Sequence, residues 1–348
     1  MIALRFLGGA FAAALFVAAV LRYRRRAVSR LNLIITSVIA TVVLMLAISP
    51  NLFNPVFDLF RFKTGSGQRL IGVLLFAVIL IFVLLSRNMS YTDQATRAIR
   101  LLVEALALSA FERAQANDLP IGPRIVVIMP AFNEAENVSA VVNGVPPELE
   151  GHPTVSLVVD DASEDGTSDA ARRAGALVAR LPIRRGGGLA LRVGYEIALQ
   201  LNALVVVTMD ADGQHDPGEM HLLVKPILED EADMVNGSRV LGEFERESLV
   251  RHVGVHFFSR LVTVMTGSRV TDVSNGYRAT RADSLKRLVL DQDQFWTSEL
   301  LIEAMRHRFR IKEVPITVRA RAGGSSKKPK SLKYGWKFAK AIIQTWLR

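Results

Sequence analysis

The sequence predicts an α/β domain with a doubly wound, mostly parallel sheet, preceded by an all-helical apolar region. Two observations carry the sheet. From Arg124 to Thr208, short apolar runs rich in β-branched residues alternate with stretches of helical spacing, and three of the runs end in polar turns. Alternating strand and helix signals imply parallel strands joined by crossover helices. A third observation sets the helical region apart: before Arg87 lie three long apolar runs with few charges.

Composition narrows the functional classes. The 348 residues leave room for about two domains. Half the residues are apolar and the mean hydropathy is +0.27, high for a soluble enzyme. Cysteine is absent, so disulfides, thiolate metal sites and cysteine nucleophiles are excluded. The net charge is +10, and residues 319–348 hold nine Lys and Arg with no acid. Beside an apolar chain, such a tail points to anionic lipid and not to nucleic acid.

Taken in order, Ile2 to Leu21 is apolar apart from Arg5, Leu31 to Ser49 is uncharged, and Leu70 to Leu85 is unbroken. These read as three transmembrane helices within residues 1–90. Arg22, Arg24, Arg25, Arg26 and Arg30 crowd the first connection, so it should be cytoplasmic, and three spans then leave the rest of the chain in the cytoplasm. The expectation is a multi-pass cell-membrane protein. Within a linker at 91–120, Ile99, Leu102, Val103, Leu106 and Leu108 recur at helical spacing; this helix would lie near the membrane or pair with a second copy, which leaves a homo-oligomer open.

The soluble region begins with a strand over Arg124–Met129, and Asn133 with Glu136 has the pattern of a helix N-cap and its box partner. A second strand, Val155–Val159, runs into Asp160-Asp161 and a helix over Ala170–Ala174. A third strand (Ala176–Leu181) and helix (Leu189–Leu201) lead to the fourth strand, Ala203–Thr208. Its turn is Met209-Asp210-Ala211-Asp212-Gly213-Gln214-His215-Asp216-Pro217. Open α/β sheets place ligands at such strand ends. Asp210, Asp212 and Gln214 offer hard oxygen ligands that suit Mg²⁺ or Mn²⁺ and not zinc. The competing reading is that these acids cap the helix that Pro217 begins.

Three successive strands thus deliver Asn133 and Glu134, Asp160 and Asp161, and Asp210 and Asp212 to one edge. Carboxylates crowded there repel unless a cation or a donor-rich ligand sits among them, and a nucleoside diphosphate with a divalent ion supplies both. The run Gly186-Gly187-Gly188 lacks the strand-Gly-x-Gly-x-x-Gly-helix setting of a dinucleotide site.

A set of ordered motifs now gives a resemblance: Met129-Pro130-Ala131-Phe132-Asn133-Glu134, Val159-Asp160-Asp161-Ala162-Ser163, the Asp-x-Asp-x-Gln turn, Asn236-Gly237-Ser238-Arg239, Ser274-Asn275-Gly276-Tyr277-Arg278, Glu313-Val314-Pro315, and Arg321-Ala322-Gly323-Gly324-Ser325-Ser326-Lys327. From Ile125 to Lys328 the chain resembles the family 2 inverting glycosyltransferases of the GT-A fold, in particular the polyprenyl- or dolichyl-phosphate sugar synthases. The segment before residue 115 is similar to a small three-span module sometimes found beside such enzymes. The resemblance implies a GT-A glycosyltransferase domain over 121–328 and a membrane-bound, metal-dependent hexosyltransferase of mannosyl or glucosyl type. Its donor would be a GDP- or UDP-sugar and its acceptor a polyprenyl phosphate.

Position by position, the resemblance puts Pro130 and Glu134 beside the nucleotide, with Glu134 on the ribose, and Asp161 at the base. Asp210 would sit between ribose and metal-bound phosphate, with Asp212 and Gln214 on the ion. Arg321, Ser326 and Lys327 would cover the diphosphate, and Arg239 and Arg251 would clamp the acceptor's phosphate. Asp212, Arg239, Arg251 and Arg321 are the residues this assigns to catalysis. The family's glycine-lysine-glycine loop lacks its lysine here, and Val255 stands where a serine is expected.

A phosphate acceptor is already ionised near neutrality, with a second pKa near ~6, so no general base is required; His215 is the nearest candidate for one. Glu299 reads as a structural helix acid. Over residues 329–348, Leu332, Trp336, Ala339, Ile343, Trp346 and Leu347 share a helical face, with Lys333, Lys337 and Lys340 elsewhere, as in a helix lying in the plane of a membrane surface; packing on the domain is the alternative. Transfer to another membrane acceptor, such as a glycolipid or growing polysaccharide, is the runner-up activity, and an inactive membrane scaffold the non-enzymatic one.

Overall fold

A computed structural model describes residues 2–24, 30–48, 68–115, 122–244, 249–319 and 332–347. The chain divides into two compact units, Met1–Gln94 and Ala95–Arg348. In the first, helices α1 (Ile2–Arg24) and α2 (Arg30–Ile48) pack together through small residues. Ala12, Ala19 and Ala40 are buried, and a Cβ added at Gly8 would lie 3.1 Å from the Ala47 methyl. Small side chains permit that approach. Phe6, Phe11, Phe16, Ile34 and Val38 face outward. Helices therefore stand at the expected apolar runs. Among the described residues, however, no helix is long and apolar enough to cross a membrane, so the structure does not bear out the three spans.

The third apolar run and the expected linker helix are one element, α3 (Gln68–Gln115). No Gly or Pro falls between Arg87 and Asp93 to break it. Its buried stripe, Val103, Ala107 and Phe111, joins the core of the second unit, whereas Ile99, Leu102 and Leu106 are exposed. Of the predicted stripe, Val103 alone is fully buried.

The second unit is built on an eight-stranded sheet. Its elements in chain order are β1 (Arg124–Ala131), α4 (Val138–Gly144), β2 (Glu148–Leu149), β3 (His152–Asp160), α5 (Thr167–Arg173), β4 (Leu177–Arg180), α6 (Gly187–Gln200) and β5 (Ala203–Thr208). There follow a 3₁₀ turn (Pro217–Glu219), α7 (Met220–Leu228), β6 (Met234–Phe244), α8 (Leu249–Thr266), β7 (Arg278–Arg281), α9 (Ala282–Leu285), α10 (Trp296–Arg306), β8 (Ile311–Val318) and α11 (Leu332–Leu347). Strand order is β2-β3-β1-β5-β7-β6-β8, with β4 also on β3. Pairing is parallel for β4, β3, β1 and β5 and for β6 with β8.

The expected mostly parallel sheet is mixed: β7 lies between β5 and β6 and runs antiparallel to both. The loop before it reaches the same rim as the end of β5, with Arg278 opposite Thr208, so the strand must descend from that rim. Along β1, Ile125, Val127 and Met129 face one apolar layer and Val126 and Ile128 the other, as in a sheet covered on both sides.

α11 packs on the domain, the alternative reading of the tail. Phe338, Ala341, Ile342 and Thr345 are buried, with the Phe338 ring edge-on to Phe258 of α8 at 4.7 Å, while Trp336, Ile343 and Leu347 remain exposed.

Candidate active site

The rim where β3, β1 and β5 end in parallel carries the three polar turns side by side. The register places Asp160 opposite Ala131, and the Asp161 N–H donates to the Ala131 carbonyl at 2.8 Å. On the other flank, the Met209 N–H donates to the Ile128 carbonyl at 3.0 Å. Glu134, Asp161, Asp210 and Asp212 are thereby gathered at one edge by strand order.

The turns have distinct tasks. Asn133 is not a helix cap: it adopts φ 52°, its Oδ1 accepts from Glu164 N at 2.9 Å, and α4 begins after Asn137. The buried Glu134 accepts from Asn137 Nδ2 at 2.9 Å. Pro130, half-buried, pairs in register with Val159. Asp160 is structural, since its fully buried carboxylate accepts from Ser163 N, the Ser168 hydroxyl and Arg180 Nη1.

Asp161 ties the glycine run to the rim. One carboxylate oxygen accepts from Arg185 N at 2.7 Å and the other from Gly186 N at 2.8 Å. Burial pushes its carboxyl above the usual carboxylate range, against those two N–H groups and the nearby charge of Arg184. The two later glycines of the run are closely packed. A Cβ at Gly187 would lie 3.1 Å from the Trp296 indole nitrogen, and one at Gly188 would lie 1.9 Å from the Gln292 carbonyl oxygen.

In the turn after β5, Gly213 adopts φ +75° and Gln214 N donates to Asp212 Oδ1 at 3.1 Å. Asp212 and Gln214 are buried and Asp210 half-buried. The capping alternative fails, because Asp216 performs it, accepting from Gly218 N at 2.9 Å with Pro217 as the first residue of the 3₁₀ turn. Thr208 Oγ1 donates to the Gly276 carbonyl at 2.7 Å, and a Cβ at Gly276 would stand 3.2 Å from Asp210 Oδ1. The loop ahead of β7 therefore abuts the turn. Both ring nitrogens of the buried His215 are engaged, Nδ1 with Asp210 N at 3.4 Å and Nε2 with Asn275 Oδ1 at 3.0 Å.

Among the described residues, no group of three or more His, Cys, Asp or Glu side chains is arranged to hold a metal. Two carboxylates and an amide still fit Mg²⁺ or Mn²⁺, which are commonly bound through one or two carboxylates with substrate phosphates completing the sphere.

Arg239, which the resemblance assigns to the acceptor's phosphate, is buried and pairs with Asp272, with Nε to Oδ2 at 2.7 Å and Nη2 to Oδ1 at 2.9 Å, and Nη2 also donates to Ser274 Oγ at 2.6 Å. Burial alone would raise the Asp272 carboxyl. The Arg239 fork and charge, with Arg278 behind, outweigh it and hold the carboxyl low. Arg251 belongs to the first turn of α8, but its side chain lies outside the described residues, as do Arg321, Ser326 and Lys327. Glu299 is structural, accepting from Asp291 N at 2.8 Å and Gln292 N at 2.9 Å.

Sequence reasoning missed two residues, Asp272 and Asp293. Asp272 could have been found as the acid two positions before the Ser274–Arg278 motif; Asp293 had no sequence signal.

Comparison with known proteins gives the family. The family model "Glycosyl transferase family 2" matches residues 126–289. The undecaprenyl-phosphate mannosyltransferase of Micrococcus luteus is 33% identical over 215 residues, covering 59% of this chain and 87% of that protein. A Methanococcus voltae relative, UDP-N-acetylglucosamine–dolichyl-phosphate N-acetylglucosaminyltransferase, is 32% identical over 215 residues, covering 55% and 84%. The chain belongs to glycosyl transferase family 2. In fold it is similar to glucosyl-3-phosphoglycerate synthase from Mycobacterium tuberculosis, crystallised with Mn²⁺ and UDP, with a TM-score of 0.52 and 23% identity over 69% of this chain and 82% of that one. That likeness is to the α/β fold of GT-A type.

Proposed function

We propose that this glycosyltransferase moves a hexose, of mannosyl or glucosyl type, from a GDP- or UDP-sugar to a polyprenyl phosphate with inversion. The observation that carries the reading is the juxtaposition of Glu134, Asp161 and the Asp210/Asp212 pair at the ends of β1, β3 and β5. Relatives named for dolichyl- and undecaprenyl-phosphate acceptors support the acceptor class.

In this reading Asp161 accepts from the base imide and Glu134 from the ribose, while Pro130 borders the nucleotide. Asp210, Asp212 and the amide oxygen of Gln214 would hold Mg²⁺ or Mn²⁺, which when bound supplies positive charge to the departing diphosphate. Arg321, Ser326 and Lys327 add donors over that diphosphate, and Arg251 orients the acceptor. An acceptor phosphate oxygen forms the bond to the anomeric carbon as the bond from that carbon to the nucleotide diphosphate breaks. The phosphate is ionised beforehand, so the engagement of both His215 nitrogens costs the reaction nothing.

Attachment to a membrane, with the catalytic unit on the cytoplasmic face, belongs to the same proposal. It is supported by the exposed Trp336, Ile343 and Leu347 of α11 beside exposed Phe257 and Val264 of α8, with the exposed Lys337 and Lys340 on α11. The test is a panel of labelled nucleotide sugars incubated with a polyprenyl phosphate and the full chain in membranes. Transfer into a lipid product whose label mild acid releases as free sugar supports the reading, together with its loss in Asp212→Ala. Acid-stable product would redirect it to another acceptor, and equal transfer by wild type and variant would remove the rim from catalysis.

A further inference from the structure

Beside the glycine run lies a cluster of charges that the proposed reaction does not use. Asp293, on the loop before α10, collects three arginines from two different elements and a loop. Arg185 Nη2 stands 2.7 Å from Oδ2, Arg192 Nη2 of α6 stands 2.7 Å from Oδ1, and Arg100 Nε of α3 stands 3.4 Å from Oδ1. Arg100 also reaches Asp291 at 3.0 Å, and Arg192 Nη1 donates to the Gln292 carbonyl at 3.1 Å. The side chains of Asp293, Arg100, Arg185 and Arg192 are 11–20% exposed, so the pairs on Asp293 are largely withdrawn from solvent screening. The Asp293 backbone takes part as well: Gly188 N donates to its carbonyl at 2.9 Å.

The opposite side of the same short segment faces the nucleotide rim. Arg185 and Gly186 spend their N–H groups on the two oxygens of Asp161. Residues 185–188 are thus held from behind by Asp293 and present Asp161 in front. A Cβ at Gly186 would lie 2.6 Å from the Asp293 carbonyl oxygen, so the two backbones interlock with no slack. The Asp293 loop is in turn fixed by Glu299, which accepts from the N–H groups of Asp291 and Gln292.

We infer that Asp293 is a positioning residue for the nucleotide: by clamping Arg185, Arg192 and Arg100 it fixes the glycine run that orients the Asp161 carboxylate. The inference rests on the reading of Asp161 as the base contact. Arg100 lies on the part of α3 that belongs to the second unit.

The experiment compares wild type, Asp293→Asn and Arg100→Met, each as full chain in detergent, by calorimetric binding of UDP and of GDP with Mn²⁺ and by initial rates of transfer. Asp293→Asn is expected to weaken the nucleotide that wild type binds, and to raise KM for the corresponding sugar donor, by ~10-fold or more, with kcat at saturation kept within about threefold. A merely structural residue would lower kcat and the folded fraction together. Arg100→Met, which leaves Asp293 two partners, should shift the same constants in the same direction by about threefold, and it decides the matter should Asp293→Asn fail to fold. Adding Arg192→Met to Asp293→Asn should restore part of the affinity by removing an unmatched charge. Unchanged nucleotide binding in folded Asp293→Asn, or in Arg100→Met, overturns the inference alone. A wild type that binds neither nucleotide overturns it together with the proposed function.

Discussion

Replacing Asp272 by alanine tests where Arg239 acts. The Asp272 carboxylate is fully buried and accepts from Arg239 N at 3.2 Å, Nε at 2.7 Å and Nη2 at 2.9 Å, and from Ser274 N and Oγ, each at 3.2 Å. Its removal takes from a guanidinium only 9% exposed the carboxylate that it grips with its fork. Breaking a buried pair from one side costs about 3–5 kcal/mol. For a unit of this size, at ~2–4 °C per kcal/mol, the melting temperature should fall by about 6–20 °C. Circular-dichroism melts of the full chain in detergent at neutral pH measure this. The double variant Arg239→Met/Asp272→Leu should recover most of the loss, because it removes both charges. The sign with pH follows from the depressed carboxyl: the pair's stabilisation is present above the unfolded-state pKa and is lost as pH falls through the folded one, so wild type and Asp272→Ala should converge in acid. The reasoning is refuted if Arg239→Met melts within about 1 kcal/mol of wild type while transfer collapses, since Arg239 would then serve the acceptor and not the fold.

Three further outcomes are expected. Gly188→Ala must move the Gln292 carbonyl from 1.9 Å to an ordinary contact beyond 3.4 Å, breaking the Gly188–Asp293 hydrogen bond and loosening Asp161; nucleotide affinity by calorimetry should drop ~10-fold or more. Nucleotide binding should weaken on acidification, starting above the ordinary carboxylate range, because burial raises the Asp161 carboxyl and the base imide needs it ionised. Asp161→Asn should flatten that profile. The same raised value acts oppositely on stability without nucleotide, where its contribution is full in acid and is lost as pH climbs through the folded pKa. Finally, Mn²⁺ alone should raise the melting temperature little and Mn²⁺ with a nucleoside diphosphate much more, since two carboxylates and an amide make an incomplete sphere; chelation should reverse the gain.

The parallel half of the sheet was legible in sequence because its strands are buried on both faces and read as unbroken apolar runs. Ala203–Thr208 was predicted with the bounds it has, and Arg124–Met129 stops two residues short of β1. The acidic rim was legible for the same reason: once three parallel strands are placed, their C-terminal turns must share an edge. The direction of β7 was not, since a four-residue strand of Arg-Ala-Thr-Arg has neither alternation nor length. Nor was the continuity of α3, because the polar stretch from Arg87 to Asp93 resembles a boundary in composition while remaining compatible with helix.

What sequence could not show is how charges divide between structure and chemistry. Arg239 and Arg278 sit in motifs of the same appearance as those at the rim, yet one is locked on Asp272. The other is fully buried, donating to Asn236 Oδ1 at 2.6 Å, with burial bringing its pKa down to about 10. Both brace the loop that carries Gly276 against Asp210, Arg239 from β6 by donating to Asp272 and Ser274 and Arg278 from the start of β7 by donating to the Val273 carbonyl at 3.0 Å. Asp160 and Asp161 show the same division between neighbours. The first points into its own turn, and the second reaches across to a glycine run whose position is set by Asp293, more than a hundred residues away. In the proposed function the carboxylate that meets the base is the one whose surroundings other charges hold still. That explains why the residues sequence motifs did not single out, Asp272 and Asp293, are the ones on which the recognisable ones depend.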